Sequence, residues 1–184
     1  TLPHLFMLEP YNPNKKVIVL VHGLASSPEA WVRLTNDIMG DPVLRDNYQV
    51  WQVFYSTNMP ILESRFQIYA LITQTFNQVA PNASAKKDAV LIGHSMGGII
   101  SRLLVSDADL VKPAVALLNN SRANKYKNDP LFKSRLQMNH VPNFSRAIFL
   151  ASPHRGTEFA DRWFTLAARK IIKLPGAFLG ALAD

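Results

Sequence analysis

The chain has no cysteine among its 184 residues, which excludes disulfides, thiol nucleophiles and thiolate metal sites. That absence fits either redox compartment. No window approaches the roughly 20 consecutive apolar residues of a membrane span. The N-terminal stretch Thr1-Leu-Pro-His-Leu-Phe-Met-Leu8 has no basic segment leading into a long apolar one, so it is not an intact signal peptide. It also lacks an initiator Met, which points to a processed or trimmed chain. Internal repeats and low-complexity tracts are missing as well. Charged residues make up only 18% of the chain against 48% hydrophobic, a globular rather than a disordered composition. The length supports one domain with a substantial core and is short for two.

The formal net charge is +7. Lys and Arg are nevertheless dispersed, the densest stretch being Arg122-Ala-Asn-Lys-Tyr-Lys127, and no aromatic residues alternate with them in a base-stacking pattern. The charge therefore reads as a solvated basic face, and no nucleic-acid partner is expected. No His, Asp and Glu residues stand at metal-ligand spacing, so neither a metal nor another cofactor is expected.

Four short runs rich in β-branched and aliphatic residues stand out: Val17–Val21, Val50–Phe54, Ala89–Ile92 and Ala147–Ala151. Three are continuously apolar, as expected of strands covered by helices on both faces. Helical patterns separate them. Ser27 and Pro28 open one with Trp31, Leu34 and Ile38 on a shared face. Pro60 opens a second, with Leu62, Phe66, Tyr69, Ile72, Phe76 and Val79 at three- and four-residue spacing. A third starts at Ser95 and repeats Met96, Ile99, Ile100, Leu103 and Leu104. Strand and helix alternating at this spacing predict an α/β fold with a mostly parallel sheet and helices on both faces. Residues 106–145 break the rhythm and read as an inserted, partly helical segment within a single domain spanning 1–184. After the strand at 147–151, Thr157 begins a last helical pattern carrying Phe159, Trp163, Leu166 and Lys170.

The strongest chemical signal is strand, then Gly93-His94-Ser95-Met96-Gly97-Gly98, then helix. A serine hydroxyl is a poor nucleophile unless a base takes its proton and the forming oxyanion is stabilised. A sharp strand-to-helix turn aims the Ser95 oxygen out of the sheet and turns the Met96 amide and the helix N-terminus toward a reacting carbonyl. Gly93 and Gly97 are needed because such a turn crowds neighbouring backbone. A second signal, His22-Gly23-Leu24, follows the first strong strand, at the sheet edge where ligands bind in open α/β folds. The Leu24 amide is placed there as a second oxyanion donor, with Gly23 permitting close approach. His22 reads as a structural residue bonding loop backbone. The third segment, Ser152-Pro-His-Arg-Gly-Thr157, matters only by occurring in this order with the other two.

Together, Val21-His-Gly-Leu24, Gly93-His-Ser-Met-Gly-Gly98 and Ser152-Pro-His-Arg-Gly-Thr157 resemble the α/β-hydrolase fold. More narrowly they resemble its lipase-like branch, which includes bacterial triacylglycerol lipases and inositol-deacylase-like hydrolases. The resemblance implies Ser95 as nucleophile, Leu24 and Met96 as oxyanion-hole residues, a structural role for the segment around His154, and a cap or lid at 106–145. It implies an ester or lipid substrate and contact with a lipid surface. No motif names a compartment, although a bacterial, extracytoplasmic setting agrees with the resemblance.

Half of the machinery has no candidate. In this fold the order is serine, acid, histidine. His4, His22 and His94 precede or adjoin the turn, while His140 lies in the insertion and His154 in the structural segment. Asp161 reads as a favourable charge in the first turn of the last helix, and Asp184 is the other late acid. The pattern also calls for further strands after 151, bearing the acid and the histidine. The expectation is therefore an N-terminal portion of a larger hydrolase, lacking the C-terminal strands, with the remainder in cis or on another polypeptide. Three functions remain open: a serine hydrolase of carboxylic esters acting through an acyl-Ser95 intermediate, an acyltransferase with the same nucleophile, and a non-catalytic hydrolase-like binding module.

Overall fold

The computed structural model describes residues 2–23 and 28–150. Leu24, the capping Ser27, the Ser152–Thr157 segment with His154, and the expected last helix all fall outside the described residues.

The chain runs through β1 (His4–Met7), β2 (Lys16–Val21), α1 (Pro28–Gly40), α2 (Pro42–Asn47), β3 (Tyr48–Phe54), α3 (Ile61–Asn77), a 3-10 turn at Ser84–Lys86, β4 (Ala89–His94) and α4 (Met96–Leu104). The insertion holds β5 (Ala108–Asp109), α5 (Val111–Ala116), α6 (Asn120–Tyr126), α7 (Pro130–Leu136) and β6 (Gln137–Met138), and β7 (Phe144–Leu150) follows. Strands β1, β3, β2, β4 and β7 form one sheet in that order, all pairs parallel except β1 with β3. The described residues are thus an α/β layer structure with a mostly parallel sheet, as expected.

Besides the two-residue strands β5 and β6, which the sequence does not predict, β1 and β7 differ most from the sequence expectation. The antiparallel strand β1 was not expected, because His4-Leu-Phe-Met7 pairs on one side alone, with β3, and carries neither a long apolar run nor turn residues of its own. Strand β7 begins at Phe144 rather than at 147, since Phe144 pairs with Ala89 before a register shift.

Strand alternation sorts β2 onto two cores. Val17, Val19 and Val21 join Trp51 and Val53 of β3, Ile61, Ile68, Ile72 and Phe76 of α3, and Met96, Ile100 and Leu104 of α4. Ile18 and Leu20 point the other way, to Val50, Ile92 and the α1 residues Trp31 and Ile38. Residues 17–21 are therefore apolar without a break because both faces are covered. Fully burying each such side chain contributes about 1.5–3 kcal/mol.

Helix α3 carries two apolar stripes where one was expected. Ile61, Ile68, Ile72 and Phe76 are buried toward the sheet. Leu62 instead packs with the insertion's own core of Tyr126, Phe132 and Leu136, and Phe66 lies under the Arg135 guanidinium, 3.8 Å from the ring centroid. Arg135 also pairs with Glu63 at 2.9 Å. Asp41 and Asp129 cap α2 and α7, each accepting from two backbone amides and each followed by proline.

The insertion is rooted at the far end of α4 from Ser95. Val141 N–H donates to the Leu104 carbonyl (2.8 Å), and the buried Arg65 donates to the Asn139 carbonyl (2.7 Å) and more loosely to that of Leu103 (3.4 Å). A cation at the end of a helix is favourably placed against its dipole. Burial lowers the pKa of Arg65 from its ordinary value, and the adjacent Tyr69 partly opposes that.

Candidate active site

The strand order places the site. From β2 the chain crosses to β3 on one side, then passes back over β2 to β4 on the other. The carboxyl ends of β2 and β4 therefore flank a topological switch point, where the diverging connections leave a crevice. Val21 is in register with Gly93, so His22-Gly23 and His94-Ser95 emerge side by side.

Ser95 has φ 59° and ψ −125°, a backbone conformation side chains rarely adopt. Its amide donates to Leu150 of β7 (3.1 Å), and its carbonyl accepts from Gly98 (2.9 Å). The strained turn is thus held from both sides by backbone. The hydroxyl makes no capping bond to α4. It is buried and has no hydrogen-bond partner among the described residues.

Three glycines make this turn possible. A Cβ on Gly97 would strike the carbonyl oxygens of Val21 and His22, and one on Gly93 would strike the Gly97 carbonyl and the Ser101 hydroxyl. A Cβ on Gly23 would come within 2.6 Å of the Met96 nitrogen and 2.9 Å of the Gly97 nitrogen. The backbone after β2 therefore lies directly against the first amides of α4, and only glycine leaves the room. Gly98 differs: a Cβ there would find its nearest atoms at 3.5 Å, an ordinary contact.

The two motif histidines pack against aromatic rings. The His94 ring lies on the α1 side, 6.0 Å from the Trp31 ring. The His22 ring lies 4.7 Å from that of Tyr55 and 5.7 Å from that of Phe54. Burial lowers both pKa values; for His22 a hydrogen bond to the Gly23 backbone opposes the shift in part. Tyr55 was not among the expected site residues. Its position one step beyond the second strong run, at the carboxyl edge, is its signal in the sequence.

An acid and a histidine do meet after the nucleophile in chain order. His140 Nδ1 lies 2.9 Å from Asp107 Oδ1, and the His140 amide donates to the same oxygen at 2.8 Å. These bonds from His140 hold the Asp107 carboxyl below the usual carboxylate range. The pair is nevertheless at the wrong end. His140 adjoins the residue bonded to Leu104, eight residues along α4 from Met96, or about 12 Å at 1.5 Å per residue. Both side chains are more than half exposed. The structure thus brings together Ser95, Met96, Gly23, Gly93 and Gly97 and leaves His140 outside.

Residues 12–177 match the family described as “putative serine esterase (DUF676)”. Among solved structures, esterase B from Lactobacillus rhamnosis (HN001) is 13% identical, with 92% of this chain and 56% of that one covered and a TM-score of 0.52. The Bacillus licheniformis lipase BlEst2 in its mature form is 20% identical, with 88% of this chain and 51% of that one covered and a TM-score of 0.46. This chain therefore spans about half the length of the solved enzymes it matches. No curated protein matches it. The fold is that of the α/β-hydrolase esterases, and the match over 12–177 places the chain in the putative serine esterase family.

Proposed function

We propose that the chain carries the nucleophile of a carboxylic-ester hydrolase, lipase- or esterase-like, acting on acyl-chain substrates through an acyl-Ser95 intermediate. The observation that carries this is the Ser95 turn itself: a side chain held at positive φ at the head of α4, its buried hydroxyl committed to no cap. Strain retained at such a turn is characteristic of functional sites.

In the proposed reaction Ser95 Oγ attacks the ester carbonyl carbon while its proton passes to a base outside the described residues. The Met96 amide and the amide of Leu24 hold the oxyanion. Collapse of the tetrahedral intermediate expels the alcohol, which takes the proton, and leaves acyl-Ser95. Water then attacks with the same base, releasing the carboxylic acid and restoring the serine. The insertion at 106–145 is read as a cap subdomain of the same single domain, and the remaining strands, in cis or in trans, as the source of acid and histidine.

A fluorophosphonate probe and a p-nitrophenyl ester test this in the full-length protein. Labelling and hydrolysis are expected in the wild type, and Ser95→Ala is expected to abolish labelling and lower kcat by about 10³-fold or more. Equal labelling of Ser95→Ala would sink the proposal. Product analysis with competing alcohols separates hydrolysis from acyl transfer.

A further inference from the structure

Tyr55 and His22 are bonded to each other twice at the carboxyl edge. The Tyr55 hydroxyl donates to the His22 carbonyl at 2.6 Å, and the Tyr55 amide donates to His22 Nε2 at 3.5 Å. That carbonyl is the one against which Gly97 of the elbow is packed. It therefore lies between the phenol on one side and the first turn of α4 on the other. The histidine ring also bonds the backbone of Gly23. With Nε2 accepting, a neutral ring carries its proton on Nδ1 and is the donor to that backbone.

We propose that Tyr55 and His22 are positioning residues that fix the turn after β2 against the Ser95 elbow and so hold the Met96 amide in place. This rests on Ser95 being the nucleophile. A Cβ on Gly23 would lie 2.6 Å from the Met96 nitrogen, so the backbone that these two side chains hold lies directly against the Met96 amide. Tyr55 holds the His22 carbonyl, and the histidine ring bonds the Gly23 backbone beside it. Tyr55 is buried, and burial pushes its phenol pKa up, so the donating proton stays in place at neutral pH. Phe54 shields another part of the imidazole. A donor that strengthens only as charge develops on the substrate oxygen acts on the transition state more than on substrate binding.

The test uses the full-length protein, p-nitrophenyl butyrate and a fluorophosphonate probe, with Tyr55→Phe, His22→Asn, His22→Ala and Ser95→Ala. Tyr55→Phe is expected to lower kcat by about 10- to 100-fold with KM within about two-fold, and to slow labelling in parallel. His22→Asn keeps a side-chain N–H near the Nδ1 position and is expected to retain more activity than His22→Ala. Unchanged kcat in both Tyr55→Phe and His22→Ala would overturn the proposal. So would a loss confined to KM, or a His22→Asn no better than His22→Ala. If Tyr55→Phe does not fold, the two His22 variants decide. A wild type that neither labels nor hydrolyses the ester overturns the nucleophile reading instead, and this one with it; a labelled, active wild type with unaffected variants overturns this one alone.

Discussion

At Gly97 a Cβ would run into the Val21 and His22 carbonyl oxygens, whereas at Gly98 the nearest atoms are at 3.5 and 3.8 Å. The two adjacent glycines should therefore respond oppositely to alanine. Gly97→Ala is expected to destabilise by about 2 kcal/mol or more through overpacking against backbone that cannot move aside. Gly98→Ala is expected to be neutral or to stabilise by up to about 1 kcal/mol, since alanine favours the helix. Urea unfolding midpoints of both variants check the contrast. The Asp107–His140 pair gives a second prediction. Because it sits about 12 Å along α4 from the elbow, His140→Ala should leave kcat within about two-fold, the usual scale for an exposed substitution. A collapse of kcat with Ser95 still labelling would place His140 in the reaction after all. The residues of the elbow were legible in the sequence because Ser95 and its glycines are local: strand, turn and helix are contiguous. Tyr55 was not, since its partner His22 is 33 residues away and nothing in either segment names the other.

Among the elements, α3 explains how the insertion is held. Its Glu63, Leu62 and Phe66 face the insertion, while Ile61, Ile68 and Ile72 face the sheet. The periodicity of α3 was visible, but one stripe read from spacing merged two, because a helix packed on both sides has apolar residues around most of its circumference. The Glu63–Arg135 ion pair is largely covered, and the same guanidinium stacks on Phe66. Arg135→Met is expected to cost about 1–2 kcal/mol, and a cycle with Glu63→Gln should give a coupling of about 1 kcal/mol. Amide hydrogen exchange should accelerate over 107–138 in the Arg135 variant. Uniform acceleration across β2 and β4 as well would mean that the insertion and sheet unfold as one unit.

For the molecule as a whole, pH acts through buried imidazoles. Folded His22 and His94 bind protons more weakly than the ordinary value of 6.5, so unfolding takes up protons. Stability should fall as pH drops through about 6.5 toward the lowered folded values, then level off below them. Thermal melts from pH 8 to 5 check this, and His22→Asn combined with His94→Asn should flatten the profile. The parallel sheet with two covered faces was legible because 17–21 is apolar without interruption. The unexpected edge strand β1 was hidden because a strand with one neighbour needs little apolar sequence. The Ser95 turn has one more consequence. A side chain at φ 59° sits where glycine rests easily, and such conformations cost about 1–3 kcal/mol. Ser95→Gly is therefore expected to melt higher than the wild type while losing all labelling. Laboratory evolution selecting for heat resistance alone would then be drawn toward a sturdier, inert protein, and only concurrent selection for turnover would keep the serine.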